Sequence, residues 1–332
     1  MSHLFSCGED YTVISTQTRA LCAVRANTQS HLFLLGTMSL RAPNVVLQLR
    51  YEEEKSQLEQ VRSFPVSAEV LSVVSDPLLE SRFVAIHPQG NLSLVQEEET
   101  VKVTELGLGA KIVGVAWQKQ LVVATSRALH VVDCGETLRI GQTVEVPENV
   151  TACTSDPHHS QLYAVTQGLD IAILDLRSKE TKSKVVRAHS DAILELDYNP
   201  NKPYSLVSGS KDCTIRLWDV RKAEKCLKCV QEHSHWVWQA KFNSFHDQLV
   251  ITSSSDNRII LHRLVSVSST PVDESFYGRE SDAVLMRVED FNESVYAVAW
   301  SAAEAWFFAA VSFDGKVGVF QVPAEEKYRI LL

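Results

Sequence analysis

Between residues 193 and 218 apolar and polar side chains alternate in three short runs, Ile193–Tyr198, 204–208 and 214–218, and a period of two is that of a half-buried strand. Asn199-Pro200-Asn201-Lys202-Pro203 separates the first pair and Lys211-Asp212-Cys213 the second, so turn chemistry predicts an antiparallel meander with 225–230 as a fourth, outer strand. The unit recurs: His189 and His233 are 44 residues apart, and so are Asp212 and Asp256. Equal spacing at two landmarks marks an internal repeat. Fainter copies occupy 21–49, 70–95, 113–133, 150–176 and 294–320, and from Asp256 to Asp314 the shift is 58, or 44 plus an insertion of 14. Seven units predict an all-β, seven-bladed propeller with approximate blades 16–60, 61–105, 106–145, 146–185, 186–230, 231–270 and 291–323. The insertion is expected as an inter-blade loop over about 268–290, and 11–15 as the strand that closes the ring and removes two sheet edges.

Composition bounds the function. With 332 residues, 45% hydrophobic and 22% charged, and no apolar run of membrane-spanning length, the chain reads as one soluble domain that inserts into no membrane. A net charge of −9 argues against nucleic acid as a partner, because phosphate neutralisation needs a basic face. Residues 1–10 lack the features of a signal peptide, and seven scattered cysteines fit reduced thiols, so a cytoplasmic location is expected and the sequons at Asn91 and Asn149 should stay unmodified.

Several constellations invite a chemical reading. His189, Ser208, Asp212 and Trp218 look like the structural hydrogen-bond tetrad of WD-repeat proteins, and His233, Thr252 and Asp256 repeat it one unit later. A catalytic triad occurs once, so recurrence favours structure over hydrolysis. The run from Cys226 to His235 holds a C-x2-C and two histidines, but residues 226 and 229 face opposite sides of an extended strand and His233 is already used, so no metal is expected. His158-His159 reads as a turn. Neither a phosphate-binding glycine loop nor a nucleophile elbow appears, and no cofactor, small-molecule substrate or enzymatic activity is expected.

Trp236 and Trp238 flank Val237, the counterpart of Ile193, and alternation puts both indoles on one side of their strand. With Tyr296, Lys211 and Phe313 they would gather at one rim of the channel as a partner-binding hot spot, though the same rings would also serve to pack blade on blade. Arg177 and Arg221 follow Leu174-Asp175-Leu176 and Trp218-Asp219-Val220, which approximate the Trp-Asp-x-Arg box of cullin-4 substrate receptors, an alternative adaptor-binding reading. Glu52-Glu53-Glu54 and Glu97-Glu98-Glu99, expected just after the outer strands of blades 1 and 2, read as solvated loop charge.

Beyond the generic WD-repeat pattern, the runs 233–238, 246–249, 253–258, 265–269, 293–301 and 327–332, with Arg19-Ala20-Leu21 and 36–40, resemble the family of EARP- and GARP-interacting WD-repeat proteins, strongly over about 185–332 and weakly over about 50–180. The resemblance implies a non-enzymatic cofactor of two multisubunit tethering complexes, supporting their membrane recruitment in endosomal recycling and endosome-to-Golgi retrograde transport. It also implies peripheral association with the trans-Golgi network and endosomes. A generic interaction scaffold stays open as an alternative.

Overall fold

In the computed structural model, which describes residues 4–6, 11–97, 101–135, 138–146, 149–269 and 281–332, seven antiparallel sheets close into a ring. Each blade is a meander of strands a to d from the channel outwards. In blade 5 these are Ile193–Tyr198, Ser205–Ser210, Ile215–Asp219 and Lys228–Val230. The inner strand of every blade packs beside the inner strand of the next, and that of blade 7, Val295–Trp300, meets that of blade 1, Gln17–Ala23. We call upper the face that carries the b–c turns.

The apolar core lies between blades. One cluster joins Val122, Ala124 and Leu129 of blade 3 to Tyr163, Val165 and Leu174 of blade 4, and corresponding clusters run around the ring. The largest unites blades 6, 7 and 1 and includes Ile14. Such burial is worth about 1.5–3 kcal/mol per large side chain, and no blade obtains it alone.

Closure is made by Tyr11–Ile14, which pairs with Lys316–Gln321 in the register Tyr11↔Gly318, Thr12↔Val317, Val13↔Lys316. Leu4–Ser6 adds a fifth strand outside it. The ends of the pairing are tied by Ile14 N–H to Gly315 O at 2.9 Å and Thr18 N–H to Phe313 O at 3.2 Å.

Four expectations are corrected. The segment 268–290 is not a loop between blades: Ala283–Val288 is the outer strand of blade 6, paired with Ile259–Arg263, and the insertion lies within that blade, between strands c and d. Its apolar run Ala283-Val284-Leu285-Met286 covers the outer edge of that blade, whereas the buried 3-10 turn Val265–Val267 leads the chain away first. Most of the intervening residues lie outside the described ones. The first blade runs to Val66 rather than 60, because its outer strand is the ten-residue Gln57–Val66. The glutamate runs precede the outer strands of their blades: Glu52–Glu54 occupy the c–d turn of blade 1 and Glu97 ends strand c of blade 2, while Glu98 and Glu99 lie outside the described residues. The outer strand of blade 5 also starts later than 225, at Lys228. A short helix not foreseen, α1 at Ala324–Leu331, is moored to blade 6 by a buried ion pair between Arg263 and Glu326 at 2.7 Å.

Gly315 sits at φ +88°, and a β-carbon there would stand 2.6 Å from the carbonyls of both Ile14 and Thr16. Gly315→Val is therefore expected to destabilise the ring by roughly 3 kcal/mol. Thermal unfolding should show it, with amide exchange accelerating first at residues 11–14.

Candidate functional site

The b–c turns of blades 5, 6 and 7 share one geometry. Their third residues, Cys213, Asn257 and Gly315, all lie at positive φ. The backbone N–H groups of Lys211, Ser255 and Phe313 donate to the carbonyls of Ala192, Trp236 and Ser294, just before each inner strand, at 2.9–3.0 Å. Turn and strand start are thus held together at the upper face.

Beneath the blade-5 turn, His189 Nδ1 donates to Asp212 Oδ2 at 3.0 Å, which leaves Nε2 to accept from Ser208 Oγ at 2.6 Å. Ser208 in turn accepts from Trp218 Nε1 at 2.9 Å. Burial disfavours the charge on Asp212, but bonds from His189, Thr214 and the Ser190 N–H outweigh it and hold the carboxyl well below its usual range. Burial lowers the His189 pKa despite the Asp212 carboxylate beside it. Ser208 is fully enclosed, with no approach for a substrate.

In blade 6 His233 meets Asp256 at 3.0 Å and Thr252 at 2.8 Å, and the fourth member is His262, whose Nε2 lies 3.1 Å from Thr252 Oγ1. His262 stands 44 residues after Trp218, and the fixed spacing is the signal that could have found it. Burial first, then the nearby His233 and Arg287, push its pKa down to about 3. Asp256 is lowered to about 2 by the bond from His233 acting against burial.

Above these networks the aromatic residues meet. Trp236 and Trp238 are 5.9 Å apart edge to face, Trp238 and Tyr296 4.7 Å, and Tyr296 and Phe313 5.6 Å. Lys211 Nζ lies 4.1 Å over Trp236, which is exposed, and Trp238 Nε1 donates to Ser255 Oγ at 2.7 Å. Trp236 and Trp238 do not share a side by plain alternation. Trp238 occupies a β-bulge between Val237 and Gln239, which re-aims its ring.

The bulge is a recurrent device. Inner strands skip a residue between Thr18 and Ala20, Ile112 and Gly114, Ile193 and Glu195, and Val295 and Ala297 as well. The residues left out of the ladders, Arg19, Val113, Leu194, Trp238 and Tyr296, all line one cavity of about 460 Å3 at the channel mouth. Aliphatic residues hold the blade 3 and blade 5 side, while rings and a guanidinium hold blades 6, 7 and 1. Arg19 lies 4.8 Å over Tyr296 and 5.9 Å from Trp238. Its place at the rim followed from no pattern of hydrophobicity, because a bulge is invisible to a period of two.

Deeper in the channel, Lys241 bonds Glu195 at 2.6 Å and lies 3.8 Å from Asp197. Burial opposes its charge, but the two carboxylates keep its pKa above that of an ordinary lysine.

Arg177 and Arg221 follow strands c and so sit on the lower face, apart from the rim. Arg221 is forked onto Asp219 at 2.7 and 2.9 Å and stacks 4.5 Å over Tyr204, whereas Arg177 is largely exposed with Asp175 at 3.6 Å. Cys226 is half-buried against the blade 4–5 core and Cys229 is exposed on the outer strand, and the six described cysteines are free thiols. Among the described residues no three His, Cys, Asp or Glu side chains converge as a metal site would require. His158 and His159 belong to an Asp156-centred turn, their N–H groups donating to its carboxylate at 2.8 and 3.2 Å. No described helix is long and apolar enough to cross a membrane.

The model of the EIPR1 beta-propeller family matches residues 7–262, which include the 50–180 stretch where the resemblance was weakest. The EARP and GARP complex-interacting protein 1 of Rattus norvegicus is 30% identical over 95% of this chain and 97% of its own length. The EARP-interacting protein homolog of Danio rerio is 31% identical over the same shares. The WD repeat-containing protein DWA2 of Arabidopsis thaliana is 26% identical over 92% of this chain and 94% of its own.

Acid should test the blade-6 network. A histidine lowered from its usual 6.5 to about 3 on folding leaves the unfolded chain with more bound protons between those values. Its contribution is complete above pH 6.5 and is lost as pH falls to about 3, a loss on the order of a few kcal/mol to which His189 adds in the same direction. Asp256 acts in a lower window that overlaps only the end of the first, between about 4 and about 2. In denaturant titrations at stepped pH, His262→Gln should make the upper limb shallower, His189 supplying what slope remains, and leave the lower one.

Proposed function

The chain belongs to the EIPR1 β-propeller family, and from that premise we propose that it is a non-enzymatic scaffold that binds the EARP and GARP tethering complexes. In this reading it supports their membrane recruitment in endosomal recycling and endosome-to-Golgi retrograde transport. It would act from the cytoplasm, held peripherally at the trans-Golgi network and endosomes by its partners, without inserting into the bilayer and without nucleic acid, cofactor or small-molecule substrate. Relatives that match 95% of this chain are named for interaction with those complexes.

The observation that carries the reading is the contiguous upper rim of Trp236, Trp238, Tyr296 and Phe313 with Lys211. Tryptophan and tyrosine side chains fixed by neighbours lose little entropy on binding, and they are the residues that dominate interface energetics. The tetrads at His189, Ser208, Asp212, Trp218 and at His233, Thr252, Asp256 would act indirectly, by fixing the turns that present the rim.

The cullin-adaptor alternative rests on the lower-face pair Arg177 and Arg221. Arg221 would have to leave both Asp219 and Tyr204 to contact a partner.

Capture from native cytosol at moderate salt separates the two. Trp236→Ala/Tyr296→Ala, with melting and circular dichroism unchanged, is expected to reduce recovery of the tethering complexes by about tenfold or more, while Arg177→Ala/Arg221→Ala has no effect on it. Unchanged recovery by the first double variant would move the interface off the rim. Recovery of a cullin adaptor that the second double variant loses would replace the tethering reading.

A further inference from the structure

We infer that the channel mouth on the upper face receives a single carboxylate from an extended, otherwise apolar segment of a protein partner, with Arg19 as its counter-charge and Trp236 and Trp238 packing the neighbouring apolar side chain. The inference rests on the rim being the partner surface and adds what the partner must carry.

The bulge between Thr18 and Ala20 turns Arg19 out of the blade-1 ladder and into the cavity shared by Trp238 and Tyr296. Among the described residues Arg19 forms no ion pair. Its guanidinium lies against two ring faces, and burial lowers its pKa, the mark of a cation partly stripped of water. Ring faces offset part of that cost, and an anion would offset more. Lys111, exposed, lines the same cavity, and Lys211 stands over Trp236.

The carboxylates closest to the cavity are already engaged. Glu195 lines the cavity but is bonded to Lys241 at 2.6 Å, and Asp212 and Asp256 accept from their histidines. The charge that the mouth lacks is therefore negative. A methylated lysine or other cation, which aromatic cages elsewhere accept, would meet the guanidinium where it needs a free ring face. Asp191 and Glu293, exposed just before the inner strands of blades 5 and 7, would repel a segment acidic along its whole length. One acid flanked by apolar residues satisfies both conditions. The cavity, about 460 Å3 with Val113 and Leu194 on its far side, admits a short extended segment but no globular domain.

The test is selection of displayed random linear peptides on the full-length protein, followed by binding measurements on wild type, Arg19→Glu, Arg19→Gln and Trp238→Ala, each first shown to melt like wild type. Selected peptides should share one Asp or Glu beside an apolar residue. Arg19→Glu and Arg19→Gln should weaken them about tenfold or more, and replacing the peptide's acid by its amide should cost wild type the same factor but cost Arg19→Gln little. Peptides without an acid, or an acidic preference that survives Arg19→Glu, would overturn the inference. If those peptides are lost by Trp238→Ala and kept by both Arg19 variants, the rim remains the docking surface and only the carboxylate assignment fails. Peptides kept by all three variants would remove the rim reading itself, and the carboxylate assignment with it.

Discussion

Each four-stranded sheet of this ring has two apolar faces and can hide neither without a neighbour. That single requirement organises the molecule: every main cluster of buried side chains spans at least two blades, and the one that spans blades 6, 7 and 1 includes Ile14 from the chain's beginning. The pairing of Tyr11–Ile14 with Lys316–Gln321 is thus more than an added strand. It brings Phe313 beside the start of blade 1, through the bond from Thr18 N–H, and so puts Arg19 next to Tyr296. Half of the candidate site exists only because the ring is shut.

Rigidity at the upper face has a second source. The His-Asp-hydroxyl networks of blades 5 and 6 use buried polar groups whose bonds are made in full by neighbours in the same blade. A buried network of that kind specifies one turn geometry, since any displacement would leave a polar atom unpaired in a low-dielectric interior. The turns then carry Lys211, Ser255 and Phe313 at matching heights, and Ser255 binds the Trp238 indole. What resembles catalytic equipment in the sequence is the foundation of a surface.

That surface is uneven around the ring, and the unevenness arises from one repeated backbone feature carrying different side chains. The same bulge delivers valine in blade 3, leucine in blade 5, tryptophan in blade 6, tyrosine in blade 7 and arginine in blade 1. Five near-equivalent positions thereby become one directional site. A ring built of identical blades could present no such polarity.

Much of this was legible in the chain because repeat spacing and strand period are local. The alternation in residues 193–218 predicts the blade-5 meander, and a shift of 44 carries it to blade 6, where His233, Thr252 and Asp256 stand where their counterparts do. Even His262 was within reach of that shift. Local pattern failed where a strand's partner was remote: Ala283–Val288 looked like loop, since nothing in its neighbourhood announces that the outer edge of blade 6 is still vacant after Arg263. It failed again at the bulges. Alternation assigns Trp238 and Arg19 by counting, whereas their directions are set by which residue the ladder omits, and the neighbour of Arg19 lies 277 positions away at Tyr296. Sequence alone determined the repeat, the blade, the turn chemistry and the closing strand; the register of that closure and the convergence of five omitted side chains on one cavity were decided by tertiary structure, because both depend on contacts the chain makes only after it has gone once around the ring.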